Sequence, residues 1–173
     1  ENNVIVVGSK SGNYNAGNYH TAFWVQKYTP DGQTLLWEIL WQDTYSSAWQ
    51  NALGVHIDAS DNVYVAGSSF GSWGSGPQHQ WVIFKYNKDG QVLLGPIKVN
   101  FVNYIYLQDY AYDITVDAAG DIYAVGMRGV SGSDGGIYNN LDWHVRKFNG
   151  TTGATIWQDT YSGPAGLLDY AIG

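Results

Sequence analysis

Apolar and polar residues alternate along this chain in short runs, and the runs fall into four types that recur in a fixed order. The first, LGVHI (53–57) and YDITV (112–116), leads into an Asp-rich tight turn, DASDN or DAAGD. The second follows at once: NVIVVG (3–8), NVYVAG (62–67) and DIYAVG (121–126). The third carries a lysine before its last aromatic, as FWVQKY (23–28), WVIFKY (81–86) and WHVRKF (143–148). The fourth, LLWEILWQDTY (35–45), QVLLGPIKV (91–99) and ATIWQDTY (154–161), is reached through TPDGQ, NKDGQ or NGTTG. Alternation of period two, bounded by Gly, Asp and Asn, predicts strands, here lettered A to D. The A–B and C–D connections read as hairpin turns, with glycine available for positive φ. Connections B–C and D–A are long and differ in every copy. Good helix formers nowhere recur at 3.6 spacing, so almost no helix is expected.

The order repeats three times. Gly8, Gly67 and Gly126 are 59 residues apart, and Ala52, Ala111 and Ala171 follow at 59 and 60. LWQDTY (40–45) returns as IWQDTY (156–161) and has become GPIKVN in the middle copy. Four-stranded units in tandem are the signature of β-propeller blades. The expected fold is therefore all-β: one domain over 1–173, with units at about 1–57, 58–116 and 117–173. Three blades do not close a ring, since propellers have about four to eight. The chain thus reads as a segment of a longer propeller, cut within a strand A, or as half of a ring completed by a head-to-tail homo-oligomer.

The units resemble the seven-bladed β-propeller (SBBP) repeat. Asp109, Tyr110, Ala111, Ile114, Val116, Asp117, Gly120, Ile122, Tyr123 and Gly126 match the first half of its pattern. Trp143, Val145, Lys147, Gly153, Trp157 and Tyr161 match the second, with one extra residue before Gly153. The likeness covers the whole chain. Gln50 and Asn51 depart from it by replacing Asp-Tyr, Gly95 stands near an expected Trp, and residues 35–45 carry an insertion. What the resemblance implies is a fold and an extracellular or cell-surface setting, rather than an activity.

Composition narrows the partners. A net charge of -7, with only eight Lys and Arg along the chain, argues against nucleic acid and against an anionic membrane surface. With no cysteine, disulfides, thiolate metal sites and cysteine nucleophiles are excluded. The sequence has no transmembrane run, and ENNVIVVGS lacks the basic and apolar blocks of a signal peptide. Aromatics reach 16%, with eight Trp and fourteen Tyr against 13% charged residues, which suits strands and binding surfaces.

Strands running up and down place the A–B and C–D turns on one face of the repeat and the variable connections on the other, where function usually sits. The B–C segments (9–22, 68–80, 127–142) offer Tyr14, Tyr19, His20, Trp73, His79, Tyr138, Asn139 and Asn140 as candidate ligand-binding residues, beside Asn15, Asn18 and Gln78. The D–A segments add Trp49, Tyr104, Tyr106 and Leu167. Aromatic faces beside amides are the chemistry of sugar binding, while the same residues also serve as turn formers and protein-interface anchors.

Asp58 with Asp61, and Asp117 with Asp121, lack the ligand ladder of a calcium loop and read as turn caps; Asp109 and Asp169 read as turn and interblade acceptors. His20, His56, His79 and His144 have no ligand spacing, and no nucleophile-elbow or phosphate-cradling motif is present. No metal or cofactor is expected. Asp134, Asp142 and Asp169 are the carboxylates a loop-face glycosidase could use. The recurring Lys27, Lys85 and Lys147 read as structural. The sequence thus favours a non-catalytic extracellular or surface scaffold that binds protein. A carbohydrate-binding module is the alternative, and a loop-face hydrolase or lyase the third reading.

Overall fold

The structure is a computed structural model describing residues 2–15, 18–43, 49–73, 76–101, 108–130, 140–163 and 169, with side chains except at 13–15, 18, 19, 72, 73, 76–78, 130 and 140. It is all-β, and no helix occurs among the described residues. Eleven strands run in sequence order: β1 (Val4–Asn15), β2 (Asn18–Tyr28), β3 (Leu35–Trp41), β4 (Trp49–Ile57), β5 (Val63–Trp73), β6 (Gly76–Tyr86), β7 (Val92–Val99), β8 (Tyr110–Val116), β9 (Ile122–Val130), β10 (Asn140–Phe148) and β11 (Thr155–Tyr161).

Pairing is antiparallel between consecutive strands within three meanders, β1–β3, β4–β7 and β8–β11. The first two are tied into one sheet by a single parallel bridge between Thr21 and Trp49, and the third is a sheet of its own. At the bridge, the Thr21 hydroxyl donates to the Gln50 carbonyl at 3.0 Å and accepts from the Gln50 N–H at 2.9 Å.

The tight turns form because their acidic residues replace backbone acceptors. Asp58 Oδ1 accepts from the N–H groups of Ser60 and Asn62 (2.8 and 2.9 Å), and Oδ2 from Asn62 Nδ2 and the Tyr64 hydroxyl (2.8 and 3.0 Å). Asp117 repeats this with Ala119, Asp121 and Tyr123. The left-handed position in these turns is Asp61 (φ 60°) in one copy and Gly120 (φ 82°) in the other, the residue types that tolerate it. The Asp-rich turns are therefore Asx caps, as their sequence suggested.

Side-chain alternation on the middle meander shows how the three units stack. Val63, Val65, Val82, Phe84 and Tyr86 pack with Phe23 and Val25 of the first meander, while Tyr64, Ala66, Trp81 and Ile83 pack with Ala111, Ile114, Ile122, Ala124 and Phe148 of the third. Consecutive residues of one strand therefore belong to two cores, which is why WVIFKY is an unbroken apolar run before its lysine. Polar bonds cross the same junctions. The Trp81 indole donates to Met127 O at 2.9 Å, and Lys98 Nζ lies 2.7 Å from the buried Asp43, which also accepts from Ser69 and Gln80.

Recurrence of glycine at 67 and 126 has a steric cause. Strand registers shift at Ala52/Gly54 and Ala111/Asp113. This bulging brings the Asn51 and Tyr110 carbonyl oxygens to where a Cβ on Gly67 or Gly126 would sit.

Two sequence expectations are corrected. The described residues of the B–C segments, expected as loops, are strand. Segments β1–β2 and β5–β6 pair out to Asn15 with Asn18 and Trp73 with Gly76, and β9–β10 out to Val130 with Asn140. Backbone pairing holds the described parts of these Gly-, Ser- and Asn-rich stretches in strands against their composition, and Ser68, Ser69, Gln80 and Leu141 within them are buried. The two WQDTY motifs are also not equivalent. Lys27 faces Trp37 across the sheet whereas Lys147 faces Trp157, so Trp157 corresponds to Trp37 and not to Trp41.

Candidate functional site

An aromatic cleft opens where the middle meander meets the third, at the end of the strands opposite the Asp-rich turns. Its floor comes from one cross-strand row: Trp49 on β4 pairs with Phe70 on β5, which pairs with His79 on β6. Asn51, two residues along β4 from Trp49, and Tyr110, the first residue of β8, complete a space of about 250 Å³. The rings form a continuous ledge. Phe70 and His79 lie 4.4 Å apart, His79 and Tyr110 5.2 Å, and Tyr110 stacks on Tyr112 at 5.9 Å with planes 7° apart.

The ledge is electrically neutral. Burial pushes the His79 imidazole down to about 4, so it is uncharged at physiological pH, and its buried Nδ1 has no hydrogen-bond partner among the described residues. Burial and then the neighbouring Tyr112 raise the Tyr110 phenol, which stays protonated. Trp49 is 57% exposed at the mouth. The arrangement offers two ring faces to stack on, one imidazole nitrogen and one carboxamide, in a volume suited to a single ring. Among the described residues its lining includes no carboxylate, and no cluster of His, Asp or Glu able to hold a metal occurs.

Roomier grooves lie at the turn end. One of about 370 Å³ runs between the Asp58 and Asp117 turns, and one of about 420 Å³ lies beside Lys27, Trp37 and Lys88. Their polar groups are already committed to the turns and to contacts between meanders: Asp58 and Asp117 cap turns, and Lys27 Nζ and Trp37 Nε1 both donate to Lys88 O at 3.0 Å. Hydrogen bonds from Asn62, Ser60 and Tyr64 outweigh burial and hold the Asp58 carboxyl below its usual range; at Asp117 the Lys147 ammonium leads the same effect.

Of the described residues singled out by sequence, His79 lines the cleft, joined by Trp49 from the D–A segment. His20 is buried, and neither ring nitrogen has a partner among the described residues. The backbones of Tyr14, Tyr19, Trp73 and Asn140 belong to strands, and their side chains lie outside the described residues. Tyr138 and Asn139 lie outside the described residues, as do Asp134, Tyr104, Tyr106 and Leu167.

Asp142 is buried, and Asp169 accepts the Gly163 N–H at 2.6 Å. Asp109 accepts the Gly129 N–H at 2.7 Å. Burial pushes the Asp109 carboxyl up to about 7, against the N–H groups of Gly129 and Phe101 and the charge of Arg128. Sequence reading missed Asn51, Phe70 and Tyr110. Phe70 stood in a segment read as loop, Tyr110 was read as part of the repeat signature, and Asn51 as a departure from it. The usable signal was that departure, because Gln50 and Asn51 stand exactly where another unit has Asp109 and Tyr110.

No protein-family model matches the chain, and no curated protein matches it.

Proposed function

We propose that the three meanders are blades of a β-propeller of the SBBP-repeat kind, and that the chain serves as a non-catalytic interaction module in an extracellular or cell-surface setting. Three observations support the blade reading: the tandem antiparallel meanders, their face-to-face packing, and the equivalent turns. The observation that carries the binding role is the ledge from Phe70 to Tyr112, spanning two meanders with the exposed Trp49 at its mouth. An exposed aromatic side chain beside a preformed cleft is the chemistry of an interface anchor, which supports a binding role. A screen of glycosidase, lyase and esterase substrates is expected to give no turnover. Turnover abolished by Asp142→Asn or Asp169→Asn would overturn the module reading.

A second reading, carbohydrate binding, is favoured by Asn51 beside Trp49, which sets a carboxamide next to a ring face in a space of about 250 Å³. Titration of the native tryptophan fluorescence with a panel of oligosaccharides tests it. Saturable quenching lost in both Trp49→Ala and Asn51→Ala supports a sugar site. No quenching by any sugar, or quenching that survives Trp49→Ala, leaves the cleft to protein ligands.

A further inference from the structure

We propose that the outer face of the first meander and the outer face of the third are the two halves of one docking site, and that their occupant is a second copy of this chain added head to tail. These two faces lie apart from the aromatic cleft, and their docking does not depend on what the cleft binds. Each outer residue has equivalents at the two internal junctions, where a neighbouring meander covers them.

The first meander exposes its leading side. Val4 and Val6 are 41% and 39% exposed, yet their equivalents Val63, Val65, Ile122 and Ala124 are all at 0% because the preceding meander covers them. The third meander exposes its trailing side. Trp143 is half-buried where its equivalents Phe23 and Trp81 are fully buried, and Val145 is half-buried where Val25 and Ile83 are fully buried. A cleft of about 240 Å³ lined by Asp113, Ile114, Thr115, Tyr123 and Val125 opens on this trailing side. At the internal junction the corresponding Tyr64 and Ala66 are covered by Ile122 and Ala124, the equivalents of Val4 and Val6.

The polar contacts repeat in the same way. At the first junction Lys27 and Trp37 reach the next C–D turn, both donating to Lys88 O at 3.0 Å, with the Trp37 ring against Gly90. At the second, Lys85 Nζ donates to Gly150 O at 3.4 Å and Ile97 lies against Gly153. The third meander carries the same donor pair, Lys147 and Trp157, and no further C–D turn lies against it among the described residues. Trp157 is 43% exposed, and Lys147 turns back onto Asp117 and Asp121 of its own meander, at 2.9 and 3.1 Å.

Conversely, the first meander carries an uncovered C–D turn. Its Gly32 has φ 71°, like Gly90 and Gly153 (83° and 72°), but a Cβ there would meet nothing within 4 Å, and the carbonyl equivalent to Lys88 O and Gly150 O belongs to Pro30. One end thus presents donors and a cleft, and the other presents the acceptor turn and the apolar side chains that fill such a cleft.

Because the two surfaces differ, the contact is heterologous. Trp157 and Lys147 of one copy sit on the Gly32 turn of the next, and Val4 and Val6 of the second cover Tyr123 and Val125 of the first. Two chains give six meanders, a number that closes a propeller ring; closure, unlike the contact itself, rests on the blade reading.

The test is the mass in solution of the whole chain by light scattering or sedimentation, for wild type, Val6→Lys, Trp157→Asp and an equimolar mixture of the two variants. Wild type is expected above the 19.1 kDa single-chain mass, at twice that mass where the ring closes, and each variant at the single-chain mass. The mixture is expected to regain the two-chain particle, because it holds one intact leading face and one intact trailing face. A variant that had merely unfolded would not be rescued by mixing. Wild type at single-chain mass up to millimolar concentration, or wild type associated but unaffected by both variants, overturns the proposal. So does loss of association in Val6→Lys alone without rescue on mixing, which is the signature of a face-to-same-face dimer.

Discussion

Trp81 offers the sharpest stability prediction, because the same repeat position is buried in the middle meander and open in the third. Its side chain is fully buried, lies edge-on to Phe101 and His144 at 5.3 and 5.4 Å, and donates its indole N–H to Met127 O across the junction at 2.9 Å. Trp81→Ala removes the ring from a packed core, costing about 3–5 kcal/mol. The orphaned Met127 carbonyl places the loss toward the upper end, by about 1 kcal/mol. Trp81→Phe keeps most of the packing and loses the hydrogen bond, for about 1–2 kcal/mol. Trp143 occupies the equivalent position on the open trailing side, stacked on Tyr161 at 6.2 Å, and Trp143→Ala costs about 1–2 kcal/mol. Urea unfolding at equilibrium is the assay, in a Val6→Lys background that keeps the chain single. With a slope of about 2 kcal/mol per molar, the midpoint falls by about 2 M for Trp81→Ala and by under about 1 M for Trp81→Phe and Trp143→Ala. If Trp143→Ala lowers the midpoint as far as Trp81→Ala does, the middle meander is not the doubly covered one and the stacking argument fails.

Two further predictions follow from single side chains. Gly126→Ala places a Cβ on the Tyr110 carbonyl and is expected to destabilise by about 2 kcal/mol or more, whereas Gly120→Asn, at φ 82° with open space, costs under about 1 kcal/mol; thermal melts of both check the contrast. Asp109 holds its proton to about pH 7 in the fold, against about 3.9 in an unfolded chain. The folded state therefore binds more protons between those values, and stability falls as pH rises from about 4 to 7, by up to about 4 kcal/mol. His79 and His144, with folded values of about 4, act in the opposite sense, losing stability as pH falls below about 6.5. The difference between wild type and Asp109→Asn isolates the Asp109 effect. A difference that stays flat across pH 4–8 would refute it.

Most of the backbone plan was legible because its causes are local. Alternation, Asp-capped turns and recurring glycines marked each A, B, C and D strand, and the Asp58 and Asp117 turns form as their residues dictate. What stayed hidden depends on pairing between distant residues. Gly, Ser and Asn in segments such as SSFGSWGSG signal a turn locally, yet cross-strand bonding draws them into β5 and β6. The offset between Trp37 and Trp157 hides for the same reason, since the shared pentapeptide WQDTY outweighs register when only the sequence is read. The cleft was the least legible feature. It joins β4, β5, β6 and β8, and of its aromatic residues only Trp49 is exposed. His20, offered by the sequence as a candidate ligand-binding residue, is buried, which only the packed strands reveal.

The central claim is that equivalent meanders stack face to face, so that the middle one is covered on both sides. Amide hydrogen exchange on the Val6→Lys chain tests it most directly. Amides of β5 and β6, at Val63 to Ala66 and Val82 to Phe84, are predicted to exchange slowest and only through global unfolding, while the edge strands β3 and β11 exchange by local opening. Equal protection in all three meanders, or a middle meander that exchanges faster than its neighbours, would contradict the account.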